Sequence, residues 1–169
     1  MNPNPLLIQN PWGKWLCALA VTGGCLTAAP VTAQVRYSFS NDGTMVTDVK
    51  TGLIWQRCSA GLTWNSSTGT CSGTAVTYYT HEQALAYAKT QAGWRLPNVK
   101  ELANLVDRTR ANPAIATAFP NTPSAWFWTS TPYVGNPLYP AENAWVIDFN
   151  NGLASQTSRN YNGYVRLVR

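Results

Sequence analysis

Two helix-capping boxes lie close together in the middle of this chain, and they constrain its fold more than any other feature. Thr80 is followed three residues later by Gln83, and Asn98 three residues later by Glu101. In such a box the cap side chain accepts from the N3 amide, and the N3 side chain returns to the cap amide. The first box predicts a helix over His81–Gln91, with Ala84, Leu85 and Ala88 as its apolar stripe and Gly93 ending it from just beyond. The second predicts a helix in which Val99, Leu102, Leu105 and Val106 recur at helical spacing. Prolines at 113, 120 and 123 then exclude helix. On either side the pattern is that of strands. Thr44–Val49 and Leu53–Gln56 flank a Lys50-Thr51-Gly52 turn. Later come Trp126–Ser130, Ala144–Phe149, Leu153–Thr157 and Tyr164–Val168, with Asn150-Asn151-Gly152 as a hairpin turn. Helices segregated from strands argue for an α+β fold, two helices packed on short, mostly antiparallel sheets. They argue against a doubly wound sheet.

Of the 169 residues, 45% are hydrophobic and only 11% charged. That is an ordinary core fraction for one domain with unusually little charge, which excludes a charge-rich disordered chain. Met1–Ala33 carries one basic residue, Lys14, and no acid. An apolar run over Trp15–Val21 follows, and then small residues at Val31-Thr32-Ala33. These parts read as a signal peptide over 1–33, cleaved after Ala33, with a single domain over 34–169. The rival is a membrane anchor, but Gly23, Gly24 and Pro30 interrupt the run before the ~20 apolar residues of a span. No stable membrane span is expected after processing. A further alternative is lipid attachment at Cys25, although Thr22 stands where a lipobox has Leu. Cleavage removes Lys14 and takes the net charge from +5 to +4. It also leaves Cys58 and Cys71 as the only cysteines. An even count in an exported chain predicts a disulfide, here closing a polar loop and stabilising the fold by roughly 3 kcal/mol. A redox or zinc pair is the rival; there is no CxxC, and one histidine does not complete a zinc set. The expected location is secreted, periplasmic or cell-surface.

Several blocks stand in a recognisable order: Asp42-Gly43-Thr44, Thr51-Gly52-Leu53-Ile54-Trp55-Gln56, Trp94-Arg95-Leu96-Pro97 with Lys100-Glu101-Leu102, Trp128-Thr129-Ser130-Thr131, Ala144-Trp145-Val146-Ile147-Asp148-Phe149 and Val165-Arg166-Leu167-Val168-Arg169. Together they resemble the C-terminal domain family of the Legionella collagen-like adhesin. The resemblance implies an exported bacterial domain with a C-type-lectin-like or sulfatase-modifying-factor-like fold. In the adhesin that domain is associated with trimers and with binding of sulfated glycosaminoglycans. Two departures are visible. The chain has no Gly-X-Y stalk, and Leu167 stands where many members of the family have Cys.

Chemistry-bearing residues are sparse. His81, at the start of a helix, is a poor general base and reads as a surface residue. No Ser or Cys sits in a nucleophile motif. The carboxylates are scattered, and a glycosidase pair such as Glu142 with Asp148 is not singled out. Neither a catalytic site, a metal site nor a cofactor is expected. Trp94 and Leu96 read as core, with Arg95 paired to Glu101 or Asp148. The remaining cations are more suggestive. Lys100, Arg108 and Arg110 lie at and just past the second helix, and Arg159, Arg166 and Arg169 near the C-terminus. Guanidinium forks match sulfate and carboxylate, and Arg108, Arg110 and Arg159, with Tyr161, form the candidate ligand-binding set. Trp126, Tyr133 and Tyr139 are further candidates for stacking on sugar rings; dispersed solvated charges and core aromatics are the alternative. The expected function is a non-catalytic module for anionic polysaccharide in adhesion. The alternative is an assembly subunit bound to a pilus or other surface protein. A third reading, an enzyme related to sulfatase-modifying factors, lacks the paired catalytic cysteines. No nucleic-acid partner is expected.

Overall fold

Both capping boxes form. Thr80 Oγ1 accepts from the Gln83 amide at 3.3 Å while Gln83 Oε1 accepts from the Thr80 amide at 3.1 Å. This opens α1 (His81–Thr90). Asn98 and Glu101 repeat the exchange at 2.9 and 2.8 Å and open α2 (Val99–Ala103). The computed structural model describes residues 35–76, 80–135 and 142–169; the leader, Cys25 and Tyr139 lie outside them. α2 is shorter than its apolar spacing predicts. After Ala103 the amides of Leu105 and Val106 bond three residues back, and Val106 then pairs with Ile115 in an isolated bridge. Leu105 is still buried, so the spacing identified a core-facing turn rather than more helix.

The strands form three small antiparallel sheets. β1 (Tyr37–Phe39), β2 (Met45–Asp48) and β3 (Ile54–Gln56) make the first, β4 (Leu62–Asn65) and β5 (Thr70–Gly73) the second. β6 (Trp126–Pro132), β7 (Asn143–Asp148) and β8 (Leu153–Ser158) make the third. The fold is therefore α+β. β1 and the β4–β5 hairpin go beyond the sequence reading, which left the stretch between Cys58 and Cys71 as a loop. Its two apolar residues, Leu62 and Trp64, are spaced by two, the minimal trace of one strand face. Cys58 and Cys71 are joined, with 5.6 Å between their Cα atoms.

The β6–β7 ladder is apolar on both faces, and each face has its own core. The paired Phe127 and Ile147 turn toward Val46, Trp55, Leu102, Leu105, Phe119 and Phe149. The paired Trp128 and Val146 turn toward Ala84, Ala88, Leu96, Val165 and Leu167. Small residues at 84 and 88, one helical turn apart, let α1 approach the Trp128 ring closely. The end of the chain, expected as a strand, is instead an extended segment that joins separate elements. The amide and carbonyl of Val168 bond to Arg95, those of Arg169 bond to Ile54, and the Leu167 carbonyl accepts from Gln56. At its other end Tyr164 bonds to Trp126 and Trp128.

His81 corrects the sequence reading. It is 3% exposed rather than on the surface, with its ring edge-on to Trp128 and Nε2 3.0 Å from the Thr129 carbonyl. Helix position alone placed it at an exposed first turn; packing of α1 on β6 buries it. Arg95 pairs with Glu101 through two 2.8 Å bonds, the first of the two partners expected for it. Asp48, fully buried, pairs with Arg36 at 2.8 Å. Burial alone would raise the Asp48 carboxyl, but the Arg36 guanidinium and the Lys50 amide outweigh it and hold it below the usual carboxylate range.

Candidate functional site

A groove of about 460 Å³ opens between the β4–β5 hairpin, α1 and the last residue of the chain. Met45 and Gln56, neighbours across β2 and β3, form part of its lining together with residues 58–63. Three aromatic side chains border it: Trp64 from β4, Tyr87 from α1 and Trp94 from the turn after α1. Trp64 is held from behind by the Arg57 guanidinium, 3.5 Å from its ring centre. Gly43 makes that approach possible. Its φ is +72°, and a Cβ there would lie 2.4 Å from the Trp64 indole nitrogen. Trp94 carries the Arg169 guanidinium over its ring at 4.8 Å.

Trp94 was expected in the core, and the structure corrects this. The indole is half-buried, resting on the Ala84–Leu96 side of the core and forming one border of the groove. Among the described residues the fully buried tryptophans are Trp55 and Trp128. An apolar residue beside Leu96 has the right spacing for a core, but α1 ends at Thr90 with Gln91 as its cap. The turn through Gly93 (φ +76°), closed by the Trp94 amide on the Gln91 carbonyl, places the ring at the rim.

The electrostatics around this groove are one-sided. None of the residues lining it is acidic. Arg57 lies between the Phe39 and Trp64 rings, and burial pushes its guanidinium down from the ordinary value. Its Nε is buried without a hydrogen-bond partner. Arg166 has no exposed surface; it donates to the Gln56 and Arg57 carbonyls, to Ser59 Oγ at 3.1 Å and to Thr122 Oγ1 at 2.7 Å. Both ion pairs among the described residues, Arg36–Asp48 and Arg95–Glu101, involve other cations. Arg169 lines the groove, while Arg57 and the buried Arg166 adjoin its lining residues without lining it themselves.

Arg108, Arg110 and Arg159, the ligand-binding set chosen from the sequence, lie elsewhere, whereas Arg169, named with them among the C-terminal cations, lines the groove. Arg108 and Arg110 are exposed in the loop that follows α2. That loop meets the turn end of β8, where the Asn112 amide bonds to the Asn150 carbonyl. Arg159 follows the opposite end of β8, so six strand residues, roughly 20 Å, separate the two regions. Two of these cations also have acidic neighbours. Asp107 lies beside Arg110, and Glu82 and Glu142 share a separate concavity with Arg159. Tyr161 is brought instead to Trp126, edge to face at 6.2 Å. Glu142 and Asp148 flank β7 at opposite ends, too far apart for a glycosidase pair. What the sequence reading missed was the convergence of Trp64, Trp94, Arg57 and Arg169. The one signal for it was Trp64, a large aromatic inside an otherwise polar disulfide loop.

No curated protein matches the chain. A family model does: that of the Lcl C-terminal domain matches residues 44–169, a span that includes the whole groove and both cysteines. The chain belongs to the Lcl C-terminal domain family.

Proposed function

We propose that the protein is an exported, non-catalytic adhesion module that holds an acidic polysaccharide in the Trp64–Trp94 groove. Membership of an adhesin-associated family, with a disulfide, points to an extracellular or cell-surface location. The observation that carries the binding reading is the composition of the groove: three aromatic side chains and the Arg169 guanidinium, with no acidic residue in the lining. Aromatic rings offer flat apolar area to the C–H face of a sugar, and guanidinium forks meet sulfate or carboxylate groups in two-point contacts. Exposed pairs of this kind are individually weak, so affinity comes from several along one chain and is screened by salt.

The test is elution from immobilised heparin at rising salt, with polygalacturonate as a sulfate-free competitor. Arg169→Ala and Trp94→Ala should elute at clearly lower salt than wild type. A triple Arg108→Ala, Arg110→Ala, Arg159→Ala variant should shift less. The larger shift in the triple variant would move the site to those arginines. Absence of binding by folded wild type at low salt would favour the assembly-subunit reading.

A further inference from the structure

A second concavity, of about 490 Å³, opens where β6 begins and β7 ends. Trp126, Asp148, Asn150, Asn162 and Tyr164 contribute to its lining. Trp126 is 38% exposed, and the Tyr161 ring that meets it is 59% exposed. Trp126 and Asp148 are register partners across β6 and β7, so their side chains leave the same face of the sheet. Asp148 Oδ1 accepts the Asn150 amide at 2.9 Å, which fixes the carboxylate, and Asp148 has no ion pair among the described residues. The side chains of Asn150 and Asn162 are exposed beside it. A large aromatic face, one fixed carboxylate and two carboxamides therefore share one opening.

We infer that this concavity is a second carbohydrate site, specific for neutral hexopyranosides. A pyranose has a face of C–H groups and a rim of hydroxyls that both donate and accept. The indole of Trp126 supplies the apolar platform, with Tyr161 bracing it edge-on. The carboxylate of Asp148 accepts from ring hydroxyls, and the carboxamides of Asn150 and Asn162 donate and accept. Such a pairing of apolar wall and few convergent polar groups is what small-ligand sites present. Charge sets the specificity. No lining residue is cationic, and Asp148 is the one charged side chain in the lining, so it repels an acidic sugar at contact. This site and the Trp64–Trp94 groove have no lining residue in common, and they are opposite in sign. The inference goes beyond the acidic-polysaccharide reading and does not depend on it.

Saturation-transfer NMR with lactose as the probe, and cellobiose as a second neutral sugar, tests this on the full folded domain. Transfer to pyranose C–H protons is expected, with a dissociation constant of about 1 mM and little change on adding salt. Trp126→Ala and Asp148→Asn should each weaken lactose binding by about tenfold or more while leaving heparin elution unchanged. Tyr161→Ala, at an exposed ring, covers the case in which Trp126→Ala does not fold, and should weaken lactose binding in the same direction. Failure of both neutral sugars to receive saturation would overturn the assignment. So would transfer that survives Trp126→Ala and Tyr161→Ala, or tighter binding of glucuronate than of lactose. Concentration-dependent association abolished by Trp126→Ala, without sugar binding, would assign the face to protein contact instead.

Discussion

A guanidinium with no exposed surface must find its partners inside the protein, and Arg166 finds four acceptors from two stretches of chain, residues 56–59 and Thr122. Burial pushes it down to about 9, so it remains charged at neutral pH. Replacing it by Met leaves two carbonyls and two hydroxyls without their donor. Arg166→Met should cost about 3–5 kcal/mol in urea unfolding, and Arg166→Lys should not restore it, since an ammonium does not span the same fork. His81 gives the pH response. Burial, reinforced by Arg159 and opposed by the Thr129 carbonyl, holds its imidazole below the ordinary value. The unfolded chain therefore takes up this proton more readily than the folded one. The stability contributed by the neutral ring is present above about pH 6.5 and is lost as pH falls through the folded-state value. Melting temperature should fall on acidification from neutral pH, and His81→Gln should flatten that dependence. Glu82, Glu142 and Arg159 line the same concavity as His81, so Glu142→Gln and Arg159→Gln are the controls for indirect effects. Trp94→Ala, at a half-buried ring, should cost only about 1–2 kcal/mol, measured by thermal melts.

At the scale of elements, the β4–β5 hairpin depends most on a covalent link. It has four residues in each strand, and Cys71 is also tied through its amide to Asn121 Oδ1 at 3.0 Å. The cross-link closes a short loop and restricts the unfolded chain. A Cys58→Ala, Cys71→Ala double variant should lose about 3 kcal/mol by chemical denaturation. Because Trp64 is on this hairpin, the same variant should also elute earlier from heparin, even where circular dichroism shows the rest of the fold intact. α1 and α2 were legible as elements because a cap is a local contact, completed within four residues. The hairpin was not, because a two-stranded ribbon whose only buried residue is Cys71 leaves almost no periodic trace.

For the whole molecule, the extended C-terminal segment is the common joint. Val168 is buried in one core cluster, while Val165 and Leu167 are buried in the other. The segment's backbone bonds reach β3, Arg95 and β6. Deleting residues 165–169 removes apolar contacts from both cores together with the ladder partners of Ile54, Gln56 and Arg95. The truncated chain should fail to show a cooperative thermal transition, whereas removal of the exposed Val35 should leave the transition within a degree or two of wild type.

By itself the sequence determined what is local: the two capped helices, the turn at 150–152, the strands β2, β3, β6, β7 and β8, the pairing of Cys58 with Cys71, and the segregated α+β class. It also carried the family, through blocks of residues in fixed order. Only the tertiary structure decided which arginines come close together. Arg57, Arg166 and Arg169 are adjacent to the groove because the C-terminal segment pairs with β3, a contact between residues more than a hundred positions apart. Arg110 and Arg159 are separated because β8 runs between them. Charge and aromatic count are one-dimensional quantities, but a binding site is a convergence in space. That convergence is set by long-range pairing and two-sided packing, neither of which leaves a periodic mark on the chain.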